Sequence, residues 1–453
     1  MGRKHGMIRQ WFAIALLAGL PAGGTAEENQ GLSFKFGLSE RIRNEYYNNI
    51  TDMNKAKDDR TDYFRIRTSI WGQVRYAPVA TVYLKLTNEF RKFMLDPKDR
   101  DFTWDEIVCD NLYLKLESPC KAASLTVGRQ NLNYGEGFIL LEGAPWDGSR
   151  TIYHDAVKLS VKRGKTAVDL LAIDNSRIDD RLPLMRGADL SDGKLKAQTP
   201  DQWMNDGQEK AFGAYVTTTA LPRMKTEAYF IRKTEDPEPW INRGGPADRL
   251  DLNTLGARVQ YTVSEKFSVT GEWAGQTGTQ GAIDHKAFGG YTYATYCVDA
   301  ASRSSISAGA ICLSGDDPST PDNEGWNPLF SRWPKWSELY IYAHLNEVIR
   351  GSTRVAYWTN IWAPYVAYTM QFTKKASLNG NFYLLKAFEN RVIPGGGTGS
   401  GLNRGKEVQF WLRYAFNKNV SGHILLDQLV PGDFYAFPRT AGPFCRAELF
   451  INL

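Results

Sequence analysis

The chain has 453 residues, with 55 Lys and Arg against 50 Asp and Glu, for a formal net charge of +5. Three of those cations, Arg3, Lys4 and Arg9, precede the first acid at Glu27, so the rest of the chain carries only +2; a protein so close to neutral is not a bulk nucleic-acid binder. No run reaches the roughly 20 apolar residues of a membrane-spanning helix, and Cys109, Cys120, Cys297, Cys312 and Cys445 include no CxxC pair of the kind that builds zinc sites.

The basic start is followed by an apolar run from Trp11 to Leu20 and by small Gly24, Thr25 and Ala26. That order reads as a secretory signal over residues 1–26, with residues 27–453 as one domain. From Leu32 onward the period is two. Leu32, Phe34, Phe36 and Leu38 alternate with polar residues, as do Phe64, Ile66, Ile70 and Val74, then Val82, Leu84 and Leu86. Near the end Val408, Phe410, Leu412 and Tyr414 repeat the pattern, and Ala447, Leu449, Ile451 and Leu453 close the chain. These are strands, with runs of about ten residues, the length a tilted membrane strand needs.

The connections alternate in length. Short turns fall at residues 76–78, 117–121, 162–164, 221–223, 263–265, 297–303, 374–376 and 417–419. Long polar stretches lie between them at 48–61, 92–105, 131–148, 175–208, 236–251, 315–360, 389–405 and 431–443, with a shorter one near 277–283. Outer-membrane barrels have short periplasmic turns and long outer loops. Eight short turns join sixteen strands, and the first and last strands make eighteen. The expectation is an all-β transmembrane antiparallel barrel with both termini periplasmic. The cysteines fall at opposite faces or on remote strands, so free thiols are expected even in an exported chain.

Alternation also assigns the faces. If Phe64, Ile66 and Ile70 meet lipid, Arg65, Arg67 and Arg75 meet the lumen. Lys35, Arg41 and Arg43 follow by the same parity, as do Lys85, Arg91, Lys115, Arg258 and Arg413. A one-residue slip would put arginine in hydrocarbon, at roughly 2–4 kcal/mol each near the midplane. The inward acids, Glu45, Glu89, Asp169, Glu272, Glu407 and Asp427, look more scattered. The Trp and Tyr excess is assigned first to interfacial belts and second to sugar-stacking surfaces.

One segment carries a longer motif: Gly128-Arg129-Gln130-Asn131-Leu132-Asn133-Tyr134-Gly135, continuing through Trp146-Asp147-Gly148-Ser149-Arg150-Thr151 to His154-Asp155-Ala156-Val157-Lys158-Leu159. With Ser314-Gly315-Asp316-Asp317, Trp326-Asn327-Pro328-Leu329-Phe330 and Val430-Pro431-Gly432-Asp433-Phe434-Tyr435, it resembles the alginate-export family of outer-membrane proteins. The resemblance implies an eighteen-stranded barrel that exports an acidic polysaccharide through an arginine-rich constriction. It adds Arg129 and Arg150 to the pore, with Asp155 orienting them. The turn at 417–419 is shorter than the periplasmic plug that some family members carry, and the chain ends in Leu453 rather than the commoner Phe.

The function expected is a passive outer-membrane channel exporting an anionic, uronate-rich polysaccharide; the alternative is an anion-selective uptake porin for small acidic solutes. Arginine suits carboxylated sugars because its planar fork binds a carboxylate through two hydrogen bonds and keeps its charge. No phosphate-binding loop is present, so the driving force would come from synthesis or from periplasmic export-complex proteins. The barrel is expected to be monomeric, to contact outer-membrane lipid and no nucleic acid, and to need no cofactor. The acids Asp316, Asp317, Asp322 and Glu324 could hold calcium in an outer loop, although solvated acids are the simpler reading. His154 and His423 are expected in the lumen as solvated polar groups. A hydrolase would need a positioned pair such as His154 with Ser149, which nothing orients.

Overall fold

The computed structural model describes residues 25–29, 31–50, 56, 60–77, 79–97, 101–141, 153–177, 179, 181–182, 208–237, 248–331, 359–390, 399–435 and 440–453. Eighteen antiparallel strands close into one barrel, and there is no helix among the described residues. The first nine strands are β1 (Leu32–Tyr47), β2 (Thr61–Tyr76), β3 (Ala80–Leu95), β4 (Phe102–Glu117), β5 (Ala123–Gln130), β6 (His154–Arg163), β7 (Thr166–Asn175), β8 (Glu209–Thr218) and β9 (Met224–Glu235). The rest are β10 (Leu250–Thr262), β11 (Phe267–Gln280), β12 (Ile283–Asp299), β13 (Ser304–Leu313), β14 (Ile361–Gln371), β15 (Ala376–Lys386), β16 (Asn403–Ala415), β17 (Val420–Pro431) and β18 (Pro443–Asn452).

Each strand pairs with its neighbours in sequence, and the ring closes between β18 and β1, from Ser39↔Asn452 to Tyr47↔Phe444. Closure leaves no strand edge in lipid, where an unpaired backbone group would cost several kcal/mol. A short strand, Thr25–Asn29, continues the seam beside the start of β1, with Thr25 opposite Lys35. It includes the last two residues assigned to the signal; residues 1–24 lie outside the described ones. All eight short turns occur where the sequence places them. The shorter stretch expected near 277–283 is also a connection, but only two residues long: β11 runs to Gln280 and β12 resumes at Ile283, so Gly281 (φ +60°) and Ala282 alone make the turn.

The apolar rows face out. On β2, Phe64 and Ile70 are 38% and 49% exposed, whereas Arg65 and Arg67 are 4% exposed. Reversing β1 and β2 would turn Arg41, Arg43, Arg65 and Arg67 to lipid, at roughly 8–16 kcal/mol for the four near the midplane. The register shifts at several places, among them Asp62/Tyr63, Asn88/Phe90 and Cys297/Asp299, and one such shift brings a charge into the lumen. The β3–β4 register jumps from Lys85↔Asn111 to Leu86↔Cys109, so Asp110 drops out of the ladder as a bulge. It is buried beside inward-facing Lys85.

The lumen is not polar throughout. Two loop segments fold into it at the long-loop end. Leu140–Leu141 pairs in parallel with Phe330–Ser331, and Phe138 stacks on Trp326 at 5.2 Å. With Leu132, Ile139 and Leu329 they bury themselves against inward Leu171, Ile231, Leu252, Ile311 and Leu313. The walls of β7–β13 are apolar there because protein, not water, covers them. His154 lies wholly buried at this core, edge-on to Phe330 at 5.5 Å, rather than solvated. The buried Trp326 likewise belongs to no membrane belt.

Candidate pore lining

The register on the seam strands sets inward side chains in cross-strand rows. Arg41 stands opposite Arg67, and Arg67 opposite Glu89; Arg43 stands opposite Arg65, and Arg65 opposite Arg91. Across the seam Arg43 meets Glu448 and Glu45 meets Arg446. Like charges set directly opposite repel, and the acids between them relieve this. Arg41 and Arg65 both bind Glu89, at 2.9 and 2.6 Å. Glu45 takes Arg446 at 2.7 Å, Arg43 at 3.3 Å and Arg65 at 3.5 Å, and accepts the Tyr63 hydroxyl. Arg43 also reaches Glu448 at 2.7 Å. Asp110 takes Lys85 at 2.6 Å and lies 3.7 Å from Arg67.

Among the described residues, seven cations (Arg41, Arg43, Arg65, Arg67, Lys85, Arg446 and Arg91, 4.0 Å from Glu89) therefore gather around Glu45, Glu89, Asp110 and Glu448. Glu45 and Glu89 are not scattered, as the sequence suggested; they stand inside the arginine group. Arg446, Glu448 and Asp110 escaped the sequence reading. The first two obey the same parity on the closing strand, whereas the bulge hid the third.

Halfway round the ring, Arg258 is held by Glu227 at 2.7 Å and Glu136 at 2.8 Å, with Glu272 at 3.9 Å. Tyr229 and Tyr291 donate to Glu272, and Tyr293 donates to Glu136. Glu136 comes from the infolded segment, so Arg258 tethers that loop to the wall. Nothing in the alternation could have placed a loop glutamate there. Asp169 accepts the Tyr134 hydroxyl at 2.6 Å, and Glu407 and Asp427 share the Gln409 amide at 2.9 and 2.8 Å.

Lys35 and Arg413 are exposed in the short-turn half, with Arg413 over the Trp411 ring at 4.5 Å. Arg75 and Lys115 flank Glu117 at 3.8 and 3.0 Å. Arg129 stands apart. It pairs with Leu112 and Asp155, so it shares the face of exposed Leu112, where Asp155 and Asp179 bind it at 2.9 Å each. Arg150 and Ser149 lie outside the described residues. In the 314–331 loop, Asp316 and Asp317 cap backbone amides, and Glu324 accepts from Thr320 and the Asp317 amide. The Ser319 amide and hydroxyl hold Asp317 below its usual pKa. Among the described residues no group of side chains has a metal-ligand arrangement, and all five cysteines are free thiols.

A closed eighteen-stranded barrel with apolar side chains outward and charges inward is the architecture of an outer-membrane β-barrel. The outer membrane protein opdK from Pseudomonas aeruginosa has a similar fold, with TM-score 0.54 and 11% identity over 92% of this chain and 98% of that one. OccK5 (OpdH) from Pseudomonas aeruginosa is similar (TM-score 0.55, 12% identity, 92% and 98% covered), as is OccAB4 from Acinetobacter baumannii (0.54, 10%, 92% and 98%). A search of curated protein sequences gives no match. The profile of the Alginate export family matches residues 33–442, and the chain belongs to that family. It is an outer-membrane channel protein.

Proposed function

We propose that the barrel is a passive channel exporting an anionic, uronate-rich polysaccharide, with the seam arginines as its selective element. The observation that carries this reading is the gathering of six arginines and Lys85 in one cluster on β18, β1, β2 and β3. A guanidinium stays charged even when buried. At 4 Å and an effective dielectric near 20, a uronate carboxylate would gain roughly 4 kcal/mol from one such charge, enough to trap it. Glu45, Glu89, Asp110 and Glu448 compete for the same guanidiniums, so each contact is exchanged rather than added, and residence stays short.

The infolded apolar loops support a second reading, an uptake porin for small acidic solutes, because they fill part of the lumen at the long-loop end. Recording from single channels in planar bilayers under a salt gradient tests both. Anion selectivity that falls when Arg65 and Arg67 are replaced by Gln is expected, and a preference for cations would refute the selective role. Sustained block by uronate oligomers favours the exporter, and free passage favours the porin.

A further inference from the structure

We propose that the lumen holds a second binding site, an aromatic cleft for pyranose rings on β2–β6, on the short-turn side of the arginines. The proposal deepens the polysaccharide reading and rests on it. Trp71, Tyr83 and Tyr113 occupy inward positions on three adjacent strands and stack in a row, with centroids 5.9 and 5.2 Å apart and ring planes within 22° and 19°. Interfacial belts face lipid, so that role does not account for them. Nor does the infolded core, which contains none of the three.

The row ends on an open ring. The cross-strand partner of Tyr113 on β5 is Gly128, where φ is +121° and a Cβ would lie 2.3 Å from the Leu112 carbonyl oxygen. No side chain can stand there to cover the tyrosine. Beyond it, small Ser124 and Thr126 floor a cleft of about 500 Å³, with Lys158 on the far side. Lys115 and Lys158 flank Thr126 in one cross-strand row. Lys115 is engaged by Glu117 at 3.0 Å; among the described residues no carboxylate lies within ion-pair distance of Lys158.

This arrangement suits one ligand chemistry. The C–H face of a pyranose packs on an aromatic ring, its hydroxyls meet Thr126 and Asn111, and a ring carboxylate reaches Lys158. Gln73, opposite Tyr83, lies six residues from Arg67, about 20 Å along the strand. A sugar chain entering at the short-turn rim would therefore meet the tyrosines before the arginines. Stacking holds rings, whereas the arginines hold charge, so the two sites discriminate on different grounds.

The test is current block of the full-length reconstituted barrel by three probes: a uronate hexamer, a neutral gluco-oligosaccharide and acyclic polyglutamate. Tyr113→Ala is expected to weaken uronate block about tenfold, the loss of a stacking contact worth about 1.4 kcal/mol, while Tyr113→Phe retains it. Lys158→Gln should weaken uronate block but not neutral block. Thr126→Phe, which fills the cleft, should abolish both, and serves if Tyr113→Ala does not fold. Wild-type block in Tyr113→Ala or in Thr126→Phe, or equal block by polyglutamate and the uronate hexamer, would overturn the proposal. Reversal potentials recorded alongside report the arginines separately, so an anion-selective channel without ring preference would refute the cleft alone.

Discussion

Replacing Glu45 by Gln removes one negative charge from among three arginines and leaves the shape almost unchanged. The carboxylate has Arg446 at 2.7 Å, Arg43 at 3.3 Å and Arg65 at 3.5 Å, and its side chain has no exposed surface. One such contact at about 3 Å is worth about 5 kcal/mol at an effective dielectric near 20. Desolvation of the ions, several kcal/mol each, offsets much of that attraction. What remains on removing one partner of a buried pair is a loss of about 3–5 kcal/mol, because the arginines stay charged. Urea unfolding in lipid vesicles, followed by the mobility difference between folded and unfolded barrel on gels, would measure it. Asp101→Asn, which removes the exposed partner of Lys92, should change stability by less than about 1 kcal/mol and serves as the control. The same Glu45 variant should become more anion-selective. Unchanged stability together with unchanged selectivity would mean that these arginines find their counter-charge elsewhere, and the cluster argument would fall.

Other consequences follow from the faces and the loops. Leu84→Arg on the lipid face should destabilise by roughly 2–4 kcal/mol if the position lies near the midplane, whereas Tyr83→Arg next to it should be tolerated; equal costs would contradict the assigned register. Trp326→Ala should cost about 3–5 kcal/mol and raise single-channel conductance as the infolded loops loosen; unchanged conductance would place the restriction elsewhere. Cys120, exposed in the turn after β4, has its thiol pKa lowered chiefly by the Ser118 hydroxyl at 3.5 Å. Its alkylation should therefore saturate at lower pH than that of an ordinary exposed thiol, and Ser118→Ala should move the profile upward. If the short turns are periplasmic, a bulky impermeant maleimide should label Cys120 only after the outer membrane is breached, and labelling of intact cells would reverse the orientation.

Strand number, strand order and the lipid face were legible in the chain itself. A side chain every second residue meets either hydrocarbon or water, and an arginine on the wrong side costs more than any local preference recovers, so Phe64, Arg65, Ile66 and Arg67 can be sorted by counting. Counting reaches only as far as the ladder is regular and the wall is the whole molecule. At Asp110 one extra residue shifts the count, and the carboxylate turns inward to Lys85. At Arg129 the motif suggested the pore, but the register with Leu112 sets it on the other face. The segments at 131–141 and 314–331 have no period because they belong to no sheet of the wall. Their Phe138 and Trp326 found each other inside the barrel, and Glu136 travelled with them to Arg258. Which acid neutralises which arginine was likewise decided in three dimensions, by strands β18 and β1 meeting across a seam some four hundred residues apart in sequence.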